Sequence, residues 1–263
     1  MWWRTSKFGL VGGRARGQQS NCSTFVKSLN LLNPSAVKEA GRLLPVTPEF
    51  LDFCLKQAIM YNHLDMGVCL VTAFQGVMRV GEITENRTRF NPDFHLTEGD
   101  VQFIPSFRSP KTVQLRIGRS KSDQMGRRAI LHPRDFPVAN DSMSAGARLK
   151  DLFCKRYNLT GLELQCPQNK KRPLFEQNGK PLTETKVLKF MRRQAQLFGY
   201  SPENVKQIGT RYLRIGGATQ LFKLGASPDT LCHLGGWSSD AYKAYIRSQT
   251  DTFQHLTEKM VRQ

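Results

Sequence analysis

The pattern of apolar and polar residues predicts helices on both sides of a central non-helical region. The pattern is helical from about Pro48 to about Asn86, and again for the most part from Pro137 to the C-terminus. Thr47 has the side chain of an N-cap, and proline is favoured directly after it because its missing N–H has no intrahelical partner there. Breaks are expected at Cys166-Pro167, Asn178–Pro181, Gly199 and Gly235-Gly236.

Three short segments between these helical regions have the composition of strands. They are Val101–Ile104, Thr112–Ile117 and Arg128–Leu131, where apolar and polar residues alternate or β-branched residues predominate. Proline and glycine separate the segments, so their connections are tight. The sequence therefore predicts an α+β fold that is mainly helical and has a small three-stranded antiparallel sheet.

The charge of the chain indicates its class of partner. The 263 residues include 39 Lys and Arg against 21 Asp and Glu, a formal net charge of +18. A chain this basic is expected to bind a polyanion. Residues 1–45 hold seven basic residues and one acidic residue. We therefore predict a basic arm over 1–45, either a disordered tail or the remnant of a domain, and a main domain over 46–263.

Neither a membrane span nor a metal site is predicted. The longest apolar candidate, Met66–Met78, is interrupted by Thr72 and Gln75 and is shorter than the ~20 residues of a membrane helix. The six cysteines form no CxxC pair, and none stands at zinc-binding spacing with the five histidines. We expect free thiols, several of them in the core, as in proteins of a reducing compartment.

Two of four candidate segments contain a single basic residue of interest. Arg79 follows the end of an apolar helix, and Glu82 lies three residues on, within reach of its guanidinium. Alone, such a pair is more often an ordinary surface ion pair of little energetic weight. Lys121 lies in the turn between two predicted strands, where it can reach a neighbouring cleft, although most loop lysines are simply solvated.

The third segment begins a helix with two arginines. Arg211 and Arg214 are one turn apart, and their planar guanidinium groups match the oxygens of a phosphate. Free N–H groups at the start of a helix favour the same ligand. Gly216 and Gly217 let this helix pack closely against another backbone.

The fourth segment is rich in aromatic residues. It contains Trp237, Tyr242 and Tyr245, and Ser238 or Ser239 can cap a new helix that carries both tyrosines. Aromatic residues at helical spacing are more often part of a core than of a catalytic site.

In this order, the four segments resemble the catalytic domain of the tyrosine recombinases, the phage-integrase family, over roughly Pro48 to Thr257. Leu213–Thr219 and Gly235–Tyr242 resemble most closely the eukaryotic mobile-element branch, such as the crypton and DIRS-type recombinases. The resemblance implies that 1–45 is the remnant of a truncated N-terminal DNA-binding domain. It also implies that 46–263 is a tyrosine recombinase catalytic domain with a C-terminal helix.

The resemblance implies a role for each candidate residue. Tyr245 would be the nucleophile that forms a 3′-phosphotyrosine bond, and Lys121 would protonate the leaving 5′ oxygen. Trp237 would wall the site, and Glu82 would support Arg79. Because arginines stabilise the transition state, no metal, ATP or other cofactor is expected. The implied catalytic set is Arg79, Lys121, Arg211, Arg214, Trp237 and Tyr245.

Two positions depart from the family pattern. Arg211 stands where the family usually has His or sometimes Lys, and a guanidinium has no acceptor atom, so it can clamp phosphate but cannot act as a general base. Tyr245 follows Trp237 by eight residues, where nine is usual. Tyr242 is therefore a rival nucleophile.

The implied function is that of a site-specific DNA recombinase or integrase that belongs to a transposable element. It would act on double-stranded DNA as a homo-oligomer, a dimer or tetramer, in the nucleus if eukaryotic and otherwise in the cytoplasm. Two alternatives stay open: a catalytically decayed or domesticated transposon-derived DNA-binding protein, and a type IB topoisomerase-like enzyme. An RNA-binding protein of ribosomal type is a more distant alternative.

Overall fold

The structure describes most of the chain between residues 46 and 237. The computed structural model describes residues 46–85, 89–93, 95–117, 127–131 and 143–237, with the backbone alone for 127–131. The chain divides into two units, Met1–Arg42 and Leu43–Gln263, and every described residue lies in the second. The predicted arm over 1–45 and the predicted C-terminal helix lie outside the described residues.

The first helical region consists of three helices: α1 (Pro48–Met60), α2 (Leu64–Gln75) and the single turn α3 (Val80–Ile83). Thr47 is the N-cap of α1, as predicted, and its hydroxyl accepts a hydrogen bond from the Phe50 N–H at 3.3 Å. Helix α2 is buried continuously from Met66 to Phe74, which explains why its sequence is apolar on every face.

A three-stranded antiparallel sheet follows, in the order β1 (Val101–Ile104), β2 (Thr112–Ile117) and β3 (Arg127–Leu131). Alternate residues of the middle strand, Val113 and Leu115, are fully buried, while Arg116 between Leu115 and Ile117 is exposed. The period of two in the sequence thus separates the core face of the sheet from its outer face.

The second helical region has five helices and one short ribbon among the described residues. The prediction of a mainly helical α+β fold is confirmed, but the ribbon was not predicted. Asn178 and Gly179 form its turn, both at positive φ, which suits Asn-Gly in a tight hairpin. In chain order these elements are α4 (Ala145–Tyr157), β4 (Glu176–Gln177), β5 (Lys180–Pro181), α5 (Glu184–Phe198), α6 (Pro202–Gln207), α7 (Arg211–Lys223) and α8 (Pro228–Gly235).

Two glycines bring α7 into backbone contact with its neighbours. A Cβ added to Gly217 would lie 2.0 Å from the carbonyl oxygen of Phe74, and one added to Gly216 would lie 2.1 Å from the carbonyl oxygen of Val46. No real Cβ atom approaches a backbone oxygen so closely. The close approach predicted from Gly216 and Gly217 is therefore confirmed, with α2 and the residue that precedes Thr47 as its partners.

A buried network of charged side chains joins α2, α4 and the segment before β1. Glu98 is completely buried, and its carboxylate accepts hydrogen bonds from Arg156 Nη1 at 2.7 Å, from the Asn169 N–H at 2.9 Å and from the Tyr157 hydroxyl. The Arg156 guanidinium also donates to Asp65 and, at 3.0 Å, to the Leu174 carbonyl. The two buried charges therefore neutralise each other and have several hydrogen-bond partners each, as burial requires.

The backbone contact at Gly217 makes a substitution there costly. We expect Gly217→Ala to lower the free energy of unfolding by about 1–3 kcal/mol, because the added methyl group forces α7 away from α2. Gly209→Ala is the matched control, since its Cβ would meet Tyr212 at an ordinary 3.4 Å. Urea denaturation of both variants measures the difference. Equal stability of the two would contradict the close contact.

Removal of the buried carboxylate has a larger predicted effect. We expect Glu98→Ala to cost about 3–5 kcal/mol of unfolding free energy, because it leaves Arg156 buried with less compensating charge. Asp151→Ala removes a partner of Arg148 at the surface and is expected to cost less than about 1 kcal/mol. Denaturant midpoints and slopes for the two variants check this order, and similar losses would show that the network is not a buried one.

Candidate active site

Arg79 lies at the end of the turn that follows α2. Glu82, in α3, accepts hydrogen bonds from both the backbone N–H and the Nη1 of Arg79, each at 2.9 Å. The contact predicted from their spacing is therefore present. The Arg79 side chain is 49% exposed whereas that of Glu82 is only 10% exposed, so the carboxylate orients the guanidinium and leaves half of it available to a ligand.

The turn that carries Arg79 is strained at one residue. Val77 has φ of 50°, in the left-handed region that a β-branched residue rarely adopts. Its side chain is completely buried, and the Met78 N–H donates to the Ala73 carbonyl at 2.8 Å. Packing and hydrogen bonds thus hold a conformation that costs about 1–3 kcal/mol. Backbone strain of this kind is concentrated at functional sites.

Arg214 is buried in α7, where it lies 2% exposed. Its Nη2 donates to the carbonyl of Gly235, at the end of α8, and its guanidinium carbon lies 4.5 Å from the centroid of the Trp237 ring. A desolvated cation over an indole face is stabilised by about 2 kcal/mol. The structure therefore brings together Arg214 and Trp237, which the sequence analysis assigned to one site from separate segments.

Gly235 allows Trp237 to reach this position. A Cβ on Gly235 would lie 2.0 Å from the Trp237 Cζ3 atom, so only glycine leaves room for the ring. Gly236 ends α8 in the left-handed conformation, with φ of 62°. The predicted break at this glycine pair thus folds the chain back and places the indole against Arg214.

Arg211 differs from Arg214 in its environment. It is the first residue of α7 and is exposed, one turn from the buried Arg214. The residue before it, Thr210, donates its hydroxyl hydrogen to Glu184 Oε1 at 2.5 Å. This hydrogen bond joins the start of α7 to the start of α5.

The same corner of the fold also connects to the segment after α3. The Glu85 N–H donates to the Leu182 carbonyl at 2.9 Å, and the Glu184 N–H donates to the Glu85 carbonyl at 3.1 Å. Glu184 therefore contacts both the chain that leaves α3 and the residue that precedes Arg211. Glu184 is not predicted from the sequence, because no local spacing relates it to either contact.

Gln75 is a second residue that the sequence analysis did not assign to a role. Its side-chain amide donates to the Met143 carbonyl at 2.6 Å and accepts from the Ala145 N–H at 2.8 Å. The last residue of α2 thus holds the start of α4. The signal that could have found it is the amide at the end of an otherwise apolar helix, where a partner is required.

Three candidate residues, Lys121, Tyr242 and Tyr245, lie outside the described residues. Lys121 falls in the chain between β2 and β3. Within the described ranges, no group of three or more His, Cys, Asp or Glu side chains is arranged to hold a metal ion. None of the described helices is long and apolar enough to cross a membrane. Five cysteines, Cys54, Cys69, Cys154, Cys166 and Cys232, are free thiols.

Sequence comparison identifies no relative. No protein-family model matches the chain, and no curated protein sequence matches it either.

Solved structures, in contrast, share its fold. The structure is similar to that of XerA recombinase, with a TM-score of 0.56 and 13% identity over 92% of this chain and 75% of that one. It is also similar to the Tn1549 transposon integrase in complex with transposon right end DNA, with a TM-score of 0.52 and 16% identity over 86% and 68% of the two chains.

A third structure, the XerH site-specific recombinase bound to palindromic difH substrate in a post-cleavage complex, gives a TM-score of 0.50 and 18% identity over 83% of this chain. The chain spans about half of that protein, 53%. At these identities the likeness establishes the fold. The described residues have a mainly helical α+β fold that is similar to the folds of these recombinases and of the integrase.

The contact between Arg214 and Trp237 can be measured by a double-mutant cycle. We expect the variants Trp237→Leu and Arg214→Met, alone and combined, to show a coupling energy of about 2 kcal/mol in urea denaturation, because each single variant removes the same cation–π contact. Trp237→Phe, which keeps an aromatic face, is the control and is expected to retain part of the coupling. Strict additivity of the two single changes would contradict the contact.

Proposed function

We propose that this protein is a site-specific DNA recombinase of the tyrosine recombinase family, which cuts and rejoins double-stranded DNA through a covalent 3′-phosphotyrosine bond. The observation that carries the proposal is the buried Arg214 guanidinium held by the Gly235 carbonyl and stacked on Trp237. The shared fold with XerA recombinase and the Tn1549 integrase supports it. The order of the motif residues along the chain supports it independently.

Two arginines are suited to hold the scissile phosphate. Arg79 is oriented by Glu82 and half-exposed, and Arg214 is fixed in a buried position. In a site of low dielectric constant, fixed guanidinium groups stabilise the negative charge that develops on the phosphoryl oxygens of the transition state. Because Glu82, Gly235 and Trp237 already hold the two groups, little reorganisation is needed when the substrate binds.

The covalent step uses Tyr245 and Lys121. The Tyr245 phenol loses its proton to water, its oxygen attacks phosphorus, and the bond from phosphorus to the 5′ oxygen breaks. Lys121 donates a proton to that leaving oxygen. A phenol with its ordinary pKa of about 10 is a weak nucleophile at neutral pH, and neighbouring arginines favour its ionised form. Attack of a 5′ hydroxyl on the phosphotyrosine reverses the step and restores the DNA backbone without ATP.

The DNA partner follows from charge and from the complexes of similar proteins. The net charge of +18 suits contacts to many phosphates, so binding is expected to weaken steeply with salt. The solved XerH and Tn1549 integrase structures are complexes with DNA. We propose double-stranded DNA as the substrate and a homo-oligomer on DNA as the active form.

Arg211 favours a second candidate function, a DNA-binding protein that does not cut its substrate. Arg211 is exposed at the start of α7, where its guanidinium can bind phosphate but cannot accept the phenol proton. If no other group accepts that proton, the protein holds DNA without cleaving it. The two candidates share a binding surface and differ in one chemical step.

Covalent trapping separates the candidates. The protein is incubated with a labelled pool of nicked duplexes of random sequence, and adducts that resist SDS are counted on a gel. We expect an adduct with the wild type and with Tyr242→Phe but none with Tyr245→Phe. Arg79→Gln is expected to lower the rate of adduct formation about 100-fold, as loss of one fixed donor to a transition state does.

Other results have defined meanings. An adduct lost only in Tyr242→Phe would identify Tyr242 as the nucleophile. Salt-sensitive DNA binding without any adduct would overturn the recombinase proposal and support the binding protein. In that case Arg211→His, which supplies an acceptor atom at this position, tests whether the missing base is the reason.

A further inference from the structure

A cavity that neither Arg79 nor Arg214 lines lies between the turn that joins α1 to α2 and one side of α5. It has a volume of about 290 Å³, close to the lower end of the range of small-molecule sites, about 300–1,000 Å³. Its walls combine aromatic, cationic and amide side chains. They include Tyr61, Lys186, Lys189, Phe190, Arg193 and Gln194.

Three cations of α5 line this cavity. Lys186, Lys189 and Arg193 are spaced so that they follow one side of the helix. Among the described residues, none of the three side-chain cations has a hydrogen-bond or ion-pair partner, although the Lys186 backbone N–H donates to the Thr183 hydroxyl. Arg192, on the same helix, donates to the carbonyls of Ile208 and Lys206 at 3.1 and 3.0 Å and so has a structural role. The three cavity cations have no such role and produce a positive potential over the opening.

Gln194, which also lines this cavity, has a side-chain acceptor without a donor in the described structure. The residue is 2% exposed, and its Oε1 has no hydrogen-bond partner in the described part of the chain. It follows the apolar stripe of α5 formed by Val187 and Met191, where a hydrophobic side chain would pack without this cost. A buried acceptor without a donor is unfavourable. A ligand that donates an N–H group would remove the penalty.

Two aromatic rings complete the lining. Tyr61 is 52% exposed and Phe190 is half-buried. An exposed ring beside cations is typical of surfaces on which a planar base stacks while lysine and arginine hold its phosphate. The cavity therefore offers contacts to the three parts of a nucleotide that differ chemically: a flat ring, an N–H group on its edge and a phosphate.

We propose that this cavity binds one nucleotide, with the base against Tyr61 and Phe190, an N–H of the base on Gln194 Oε1 and the phosphate on Lys186, Lys189 and Arg193. The nucleotide is either free or an unpaired unit of a nucleic-acid strand. Neither Arg79 nor Arg214 takes part. The inference therefore goes beyond the proposed function and does not depend on it.

Calorimetric titration of the full chain tests the site. AMP, adenosine and inorganic phosphate are titrated separately, and so are a duplex with one unpaired adenine and its fully paired counterpart. For a free nucleotide, we expect AMP to bind about tenfold more tightly than phosphate or adenosine, because only AMP makes both sets of contacts. For an unpaired unit, we expect the duplex with the unpaired adenine to bind more tightly than the paired one.

Variants assign the binding to this cavity. Lys189→Ala/Arg193→Ala is expected to weaken the preferred ligand about tenfold, since two charged contacts are lost. Lys206→Ala/Lys223→Ala removes two exposed lysines outside the cavity and is expected to leave its affinity unchanged. Gln194→Met, of similar length and without the buried acceptor, is expected to weaken AMP binding and leave phosphate binding unaffected. A thermal melt of each variant checks that it folds.

Three results would overturn the proposal. The first is the absence of saturable AMP binding together with equal affinity for the two duplexes. The second is equal affinity for AMP and phosphate, which would leave a simple anion site. The third is an equal effect of the cavity variant and its control, which would show that net charge alone accounts for binding. None of these results bears on covalent adduct formation.

Discussion

The contact between the backbone of α7 and the end of α2 is the constraint on which the candidate site depends. Helices usually pack with side chains between them, at axial distances of about 8–10 Å. Here Gly217 meets the carbonyl of Phe74 directly, so the two helices cannot slide or rotate without a clash. Helix α7 carries Arg214, and the end of α2 leads through Val77 to Arg79. A single close contact therefore fixes the relation between the two segments that are proposed to hold one phosphate.

The fold also depends on charged side chains that are buried in its interior. Glu98 and Arg156 are both buried, and together they link four separate parts of the chain. An apolar replacement of the whole network could be equally stable, because desolvation offsets much of the attraction between buried charges. The network instead specifies the relative orientation of the elements that it joins. Several hydrogen bonds of fixed geometry specify one arrangement of α2, α4 and the loop before β4, which an apolar contact would specify less strictly.

The sequence predicted the features that depend on local spacing and missed those that depend on distant partners. The cap at Thr47, the pair of Arg79 and Glu82 and the close approach at Gly217 all follow from a few neighbouring residues, and each is present. For the ribbon around Asn178 the sequence predicts only a break, because the strands of the ribbon are only two residues long. Glu98 and Glu184 resemble ordinary surface acids in the sequence, since their partners are dozens of residues away. The role of Tyr245 rests on resemblance alone.

The buried thiols of the first two helices have a further consequence for the study of this protein in solution. Cys54 in α1 and Cys69 in α2 are 1% and 0% exposed, and burial raises the pKa of both thiols well above the usual range. Only the thiolate reacts with alkylating reagents. Each thiol is therefore inert in the closed structure and becomes reactive when its helix opens. Alkylation of Cys54 and Cys69 therefore measures how often α1 and α2 open, and the half-buried Cys232 is the reference for the labelling rate. No engineered probe is needed.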